Sequence, residues 1–221
     1  MDRLRELGAA MLFYGLPGTG KTITAHKLAK TLGLQLHDLD FSQIGSHTPG
    51  ELARNIKKIF VQHRVPDEHN NPSMVFIDEC DTMLLSRAKL GHDHMWMLEP
   101  INALLREIGT YPGLVVLATN ANPDFLDSAL ERRLIGKFFF DKPDFLTRVK
   151  LWRSKYPKKL PVKLENNGID WLDRLAHYPL TGAEIENLLV LWVSETLLKN
   201  GQFQVKELLE IVKQFHNNKH E

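Results

Sequence analysis

Eight consecutive residues, Gly15-Leu16-Pro17-Gly18-Thr19-Gly20-Lys21-Thr22, have the types and spacing to hold a phosphate chain. Glycines let backbone N–H groups converge on phosphate oxygens without interference from Cβ atoms, and a helix starting at the end of the loop adds a favourable dipole. Lys21 brings a mobile cation and Thr22 a hydroxyl for Mg2+, while Pro17, Gly18 and Thr19 offer backbone. The order Gly15-x4-Gly20-Lys21-Thr22 is that of the P-loop, and its flanks agree: the apolar run Met11-Leu12-Phe13-Tyr14 precedes it, and an amphipathic pattern through Ile23, Leu28, Ala29 and Leu32 follows. The chemistry this predicts is binding of ATP with Mg2+, followed by hydrolysis.

A second constellation, Met74-Val75-Phe76-Ile77-Asp78-Glu79, reads as a buried strand ending in two adjacent carboxylates. In open α/β sheets ligands sit beyond such strand ends. Adjacent side chains diverge there, so Asp78 is expected to hold the Mg2+ shell through water and Glu79 to polarise an attacking water. Cys80 and Asp81 follow and read as structural.

The elements that must position these groups follow from periodicity. Short apolar runs at Met11–Tyr14, Leu34–Leu39, Met74–Ile77, Leu114–Ala118 and Lys137–Phe140 alternate with helical patterns, the signature of parallel strands joined by crossover helices. Leu52, Ile56, Ile59 and Phe60 form one helical stripe, and Leu98, Ile101, Leu104, Leu105 and Ile108 another, both expected to face the sheet. After Pro143 the strand signals stop. Phe145–Tyr156, Ile169–His177, Ala183–Lys199 and Val205–Phe215 read as helices, with Ile185, Leu188, Leu189, Trp192 and Thr196 as a core stripe. The fold class expected is therefore α/β: a five-stranded parallel P-loop sheet flanked by helices over residues 1–143, then a small all-helical lid over residues 144–221. Tyr156–Pro161 reads as a surface loop, as do the polar stretches Val65–Ser73 and Ser86–Met95.

Composition narrows the partners. Lys and Arg (28) nearly balance Asp and Glu (27), which offers no case for nucleic acid or a membrane surface as partner. The longest apolar runs are strand-sized, far below the roughly 20 residues of a membrane helix. Cys80 is the single cysteine, which excludes an internal disulfide and fits a cytoplasmic location. Met1–Ala10 reads as a helical lead-in rather than a targeting segment. His92-Asp93-His94 is the one tight histidine pair and reads as a solvated loop rather than a metal site.

Taken in order, these residues resemble the AAA+ ATPases, in particular the AAA subfamily that includes katanin and spastin. Gly15–Thr22 resembles that family's Walker A, and Phe76-Ile77-Asp78-Glu79-Cys80-Asp81 its Walker B, with Glu79 in the hydrolytic position. Leu117-Ala118-Thr119-Asn120, Pro123-Asp124, Leu126-Asp127-Ser128-Ala129-Leu130 and Arg132-Arg133, ending in Lys137–Phe140 and Pro143-Asp144, is similar to its second region of homology. The resemblance implies that Asn120 is the sensor-1 residue that helps orient the lytic water. It also implies that Arg132 and Arg133 are arginine fingers entering a neighbouring subunit's site, so that the active form is a homo-oligomer, a hexameric ring in such families, assembled with ATP. Thr181-Gly182-Ala183-Glu184-Ile185 is similar to the family's Gly-Ala-Asp segment near the adenine, with no sensor-2 arginine, and the helical unit would be a lid that moves during turnover.

Two features depart from the pattern. Thr48, within Ser46-His47-Thr48-Pro49-Gly50-Glu51, stands where threading members carry a pore-loop aromatic; a threonine offers less area to grip a chain and Pro49 stiffens the loop, which argues against processive threading. Few residues precede the first strand, which fits either a fragment or a free-standing ATPase supplied with substrate by a partner. The function expected is ATP-driven remodelling or disassembly of a protein complex. The alternatives are a DNA-associated AAA+ switch or loader and a small-molecule P-loop kinase.

Overall fold

The structure is a computed structural model. It describes residues 9–40, 49–64, 72–84, 98–121, 126–157, 162–163, 170–199 and 201–219. The chain divides into two compact units, one of residues up to Gly15 with Gly20–Phe140, the other of Leu16–Thr19 with Asp141–Glu221.

In the first unit the elements run β1 (Ala9–Gly15), α1 (Lys21–Leu32), β2 (Gln35–Asp40), α2 (Pro49–Gln62), β3 (Ser73–Asp78), a 3-10 turn (Asp81–Met83), α3 (Leu98–Thr110), β4 (Leu114–Thr119), α4 (Ser128–Glu131) and β5 (Leu134–Phe140). Among the described residues the five strands form one sheet of order β2-β3-β4-β1-β5, every pairing parallel. The central strands are apolar without interruption because helices cover both faces. Thus β4 sends Val115 and Leu117 to one face, where Leu52, Ile56 and Phe60 of α2 and Ile101, Leu104, Leu105 and Ile108 of α3 pack. It sends Leu114, Val116 and Ala118 to the other, against Ala25 and Ala29 of α1. Each fully buried Leu, Ile, Val or Phe contributes about 1.5–3 kcal/mol by leaving water. The register pairs Ile77 with Leu117 and Tyr14 with Thr119, so β1, β3 and β4 end at the same edge of the sheet.

The predicted helical stripes face this sheet except at their half-buried members Ile59 and Leu98, and the five strands lie at the apolar runs, β5 starting earlier than its run. Two local expectations are corrected. Ile23 is 59% exposed, because at 100° per residue it lies about 200° from Ala25 and so on the opposite side of α1 from the small residues that touch the sheet. Ala9 and Ala10, expected to close a helical lead-in, begin β1 instead, where Ala10 pairs with Val115 and its N–H donates to the Arg133 carbonyl. Residues 1–8 lie outside the described residues.

In the second unit, α5 (Phe145–Lys155), α6 (Asp170–Ala176), α7 (Gly182–Leu198) and α8 (Val205–Asn218) surround a core of Trp152, Leu175, Ile185, Leu188, Trp192, Leu208 and Val212. All five residues of the predicted α7 stripe are buried. Asp144 caps α5 through the Thr147 N–H at 2.7 Å. Thr181 and Glu184 form a reciprocal capping box at the start of α7. The unit is not wholly helical: β6 (Val162–Lys163) and β7 (Phe203–Gln204) pair in parallel, too short to leave a periodic trace in the sequence. No helix among the described residues is long and apolar enough to cross a membrane.

Candidate functional site

The carboxyl edge of the sheet gathers the residues singled out by spacing. Gly15 ends β1 at φ 137°, and a Cβ there would stand 2.2 Å from the Phe140 carbonyl oxygen, so glycine is required for β1 to lie against β5. Gly20, at φ 101°, is the N-cap of α1. Lys21 opens the helix and turns back, its Nζ donating to the Gly15 carbonyl at 2.7 Å and to Asn120 Oδ1 at 2.8 Å. Lys21 is only 7% exposed. Burial pushes its ammonium below the ordinary lysine range, against the opposing pull of the Asp78 and Asp81 charges.

Beside it, the Thr22 hydroxyl donates to Asp78 Oδ2 at 2.6 Å, while Asp78 Oδ1 accepts the Glu79 N–H at 2.9 Å. Among the described residues no group of three or more His, Cys, Asp and Glu side chains stands together to hold a metal. A hydroxyl paired with one carboxylate suits Mg2+, which keeps several waters and takes phosphate oxygens as further ligands. The donor set therefore fits Mg2+ arriving with a nucleotide.

Glu79 is exposed and has φ 54°, the one non-glycine residue at positive φ among those described. Such a conformation costs about 1–3 kcal/mol and persists where its surroundings fix it. Here the next residue does so: the Cys80 N–H and Sγ–H both donate to the Ala118 carbonyl, at 3.1 and 3.0 Å. Cys80 is fully buried, and desolvation pushes its thiol pKa far up. Asp81, which spacing read as structural, accepts three hydrogen bonds on one oxygen: from Thr119 Oγ1 at 2.6 Å, the Asn120 N–H at 2.8 Å and the Ala121 N–H at 3.0 Å. The signal that could have found it is a third acidic residue beyond the β3 end, opposite the Thr119-Asn120 pair on the neighbouring strand.

Arg132 and Arg133 sit between α4 and β5, apart from this cluster in sequence and different from each other in setting. Arg133 is committed within its own chain, with Nη1 donating to the Ala129 carbonyl at 2.7 Å and its guanidinium lying against Gly109. Arg132 is exposed, and its side chain meets no partner among the described residues. Asp127 fixes the turn that precedes both, capping α4 through the Ala129 N–H and donating its own N–H to the Leu84 carbonyl.

The rest of the loop belongs with the helical unit. Gly18 has φ 73°, and a Cβ on it would stand 2.6 Å from the Ala183 Cβ and 3.0 Å from Thr181 Oγ1. The Ala183 N–H donates to the Gly18 carbonyl at 3.4 Å, and Thr19 Oγ1 donates to the Leu16 carbonyl at 2.7 Å. The predicted residues Pro17, Gly18 and Thr19 thus share a unit with Gly182 and Ala183. Ser46-His47-Thr48, Pro123-Asp124, His92-Asp93-His94 and most of the two polar loops lie outside the described residues.

Residues 11–142 match the profile of the ATPase family associated with various cellular activities (AAA). Similar proteins include ATP-dependent zinc metalloprotease FtsH 3 of Synechocystis sp., 32% identical over 200 residues, covering 85% of this chain and 31% of that protein. A putative 26S proteasome regulatory subunit homolog of Methanothermobacter thermautotrophicus is 36% identical over 171 residues, 74% of this chain and 44% of that protein. A second such homolog, from Methanocaldococcus jannaschii, is 31% identical over 207 residues, 90% of this chain and 53% of that protein. The chain spans between about a third and a half of the length of these relatives.

Proposed function

Because this chain belongs to the AAA family of ATP hydrolases, we propose that it binds ATP with Mg2+ at Gly15–Thr22 and hydrolyses it as one subunit of a homo-oligomer, driving the remodelling or disassembly of a protein complex. The observation that carries the reading is the meeting of three separate motifs at one sheet edge: Lys21 on Asn120 at 2.8 Å and Thr22 on Asp78 at 2.6 Å. When bound, the nucleotide would supply the phosphoanhydride and Mg2+ would neutralise phosphate charge. Lys21 contributes a desolvated cation, whose attraction for phosphate is stronger where water is excluded. Thr22 and Asp78 would hold the metal's water shell. Glu79, lifted out of the strand line by its positive φ, is the base that polarises water, and Asn120 fixes that water's direction.

Arg132 fits a role in trans, since a guanidinium exposed on its own chain is available to a neighbouring subunit's phosphates. Arg133, already bound to Ala129, supports the turn from which Arg132 projects. A protein substrate is supported by the names of the relatives, a metalloprotease and proteasome regulatory subunit homologs. The narrower katanin- and spastin-like placement rests on the motif order from Leu117-Ala118-Thr119-Asn120 to Pro143-Asp144, and a cytoplasmic location on the buried free thiol of Cys80.

The test is the particle mass of a Glu79→Gln variant with ATP and Mg2+, compared with the nucleotide-free protein. A nucleotide-dependent assembly is expected, with wild-type turnover per chain rising with protein concentration and Arg132→Ala subunits poisoning wild-type ones. A monomer in both states, with turnover strictly linear in concentration, would overturn the oligomeric reading.

A further inference from the structure

We propose that Asp81 is a positioning residue for this site: its carboxylate fixes the turn carrying Asn120 and thereby sets where the Asn120 amide stands beside Lys21. The inference rests on the reading of the sheet edge as the ATP site, and adds to it a residue that acts through Asn120.

The need for such a residue comes from the sheet. The paired register of β3 and β4 runs from Met74 with Leu114 to Ile77 with Leu117, and Glu79 then turns away at positive φ. Beyond that point β4 has lost its β3 partner, although β1 still pairs with it through Thr119 on the other side, and an asparagine one residue past that last pair would sample several orientations without a further hold. The segment after Glu79 restores the pairing by other means. Cys80 takes the Ala118 carbonyl with its N–H and Sγ–H, and Asp81 takes the next three residues, collecting the Thr119 hydroxyl and the Asn120 and Ala121 N–H groups on Oδ1. Thr119 is buried, and its hydroxyl also accepts the Ala121 N–H at 3.0 Å, so the turn is closed on itself as well as on Asp81.

Charge is the reason for a carboxylate at this position. Hydrogen bonds to an ionised acceptor are about twice as strong as neutral ones, and one oxygen serving three donors requires that strength. Glu79 and Asn120 follow the ends of different strands, β3 and β4, and their mutual placement decides whether a water lies between them in the right direction. Asp81, two residues after Glu79 and bonded to the Asn120 N–H, is the covalently shortest brace between the two. Its charge also reaches Lys21, where it opposes the effect of burial on the ammonium.

The experiment is a double-mutant cycle on the 221-residue chain with Asp81→Asn, Asn120→Ala and the pair, read by kcat, by the Kd for ATP with Mg2+, and by the NMR signal of the Asn120 side-chain NH2, identified by its loss in Asn120→Ala. Asp81→Asn is expected to lower kcat by about 10- to 100-fold, the scale set by small misplacements of catalytic groups. The Kd should change by less than about threefold, the Asn120 NH2 signal should shift, and the double variant should be no slower than the slower single variant, because both act through one group. Multiplying losses in the cycle, or an unmoved Asn120 signal in folded Asp81→Asn protein, would overturn the proposal. Should Asp81→Asn fail to fold, Thr119→Val removes one donor and is read by the same NH2 signal: a shift supports the brace, no shift overturns it. Absence of turnover in the wild type would overturn the ATP hydrolase reading alone, since the Asn120 signal still reports whether Asp81 positions it.

Discussion

Lys21 and Glu79 occupy opposite extremes of the candidate site, one a buried cation and the other an exposed anion in a strained backbone, and substitutions should separate them. Lys21→Ala is expected to abolish ATP binding by calorimetry. Glu79→Gln is expected to keep the Kd within a few-fold while turnover falls by about 100-fold or more, the range over which a positioned general base acts. Equal loss of binding in both would contradict the roles assigned. Glu79→Gly should do the opposite to stability of what it does to activity: it relieves a φ of 54°, raising unfolding free energy by on the order of 1 kcal/mol while eliminating turnover. At this scale Lys21, Thr22, Asp78 and Glu79 were legible from spacing alone, because each motif is contiguous and its chemistry depends on neighbours in sequence. Asn120 came into view through the family resemblance. The brace made by Cys80 and Asp81 was not legible, since its partners Ala118 to Ala121 lie about 40 positions away and only strand pairing brings them near.

Between α4 and β5 two adjacent arginines have different surroundings. Removing Arg133 breaks its bond to the Ala129 carbonyl and its packing on Gly109, so Arg133→Ala should lower unfolding free energy by about 0.5–1.5 kcal/mol. Arg132→Ala should leave thermal stability unchanged while losing turnover in the assembled protein; a matching loss of stability in both would remove the distinction. A second element-level device joins β2 to the segment after α2, where the His37 and His63 rings stack at 3.7 Å. Burial lowers the pKa of both, with the His63 charge a further cause at His37, whose Nε2 is buried without a partner among the described residues. A folded value below the unfolded one means that the unfolded chain takes up protons first as pH falls. Stability from this pair is therefore complete above the ordinary histidine value of about 6.5 and declines as pH drops below it. Thermal melts from pH 7.5 to 5 should show a declining Tm, and His63→Phe should flatten the decline. Most elements were readable because buried parallel strands are apolar on both faces. β5 begins three residues before the predicted Lys137, since at the sheet edge its exposed Ile135, Phe138 and Phe139 carry no inside–outside contrast, and β6 and β7 are too short to show a period.

At the scale of the whole molecule the chain passes from one compact unit to the other after Gly15, after Thr19 and after Phe140, so that Leu16–Thr19 count with the helical unit. The expected split at residue 143 follows from where strand signals end; the membership of Leu16–Thr19 in the helical unit depends on the seat of Gly18 at Ala183, a contact that no local pattern in the loop announces. Cys80 gives a means to time the opening of the sheet half. It is the chain's single thiol, fully buried under the strand ends and bonded to Ala118. Held as a neutral thiol and out of reach, it reacts with a disulfide reagent only in molecules whose sheet edge has come apart, so the labelling rate is a clock for that rare state. ATP with Mg2+ at 100 times its Kd should slow the clock by about 100-fold if the opened state no longer binds nucleotide, and a rate indifferent to nucleotide would mean that the strand ends open without the site being lost.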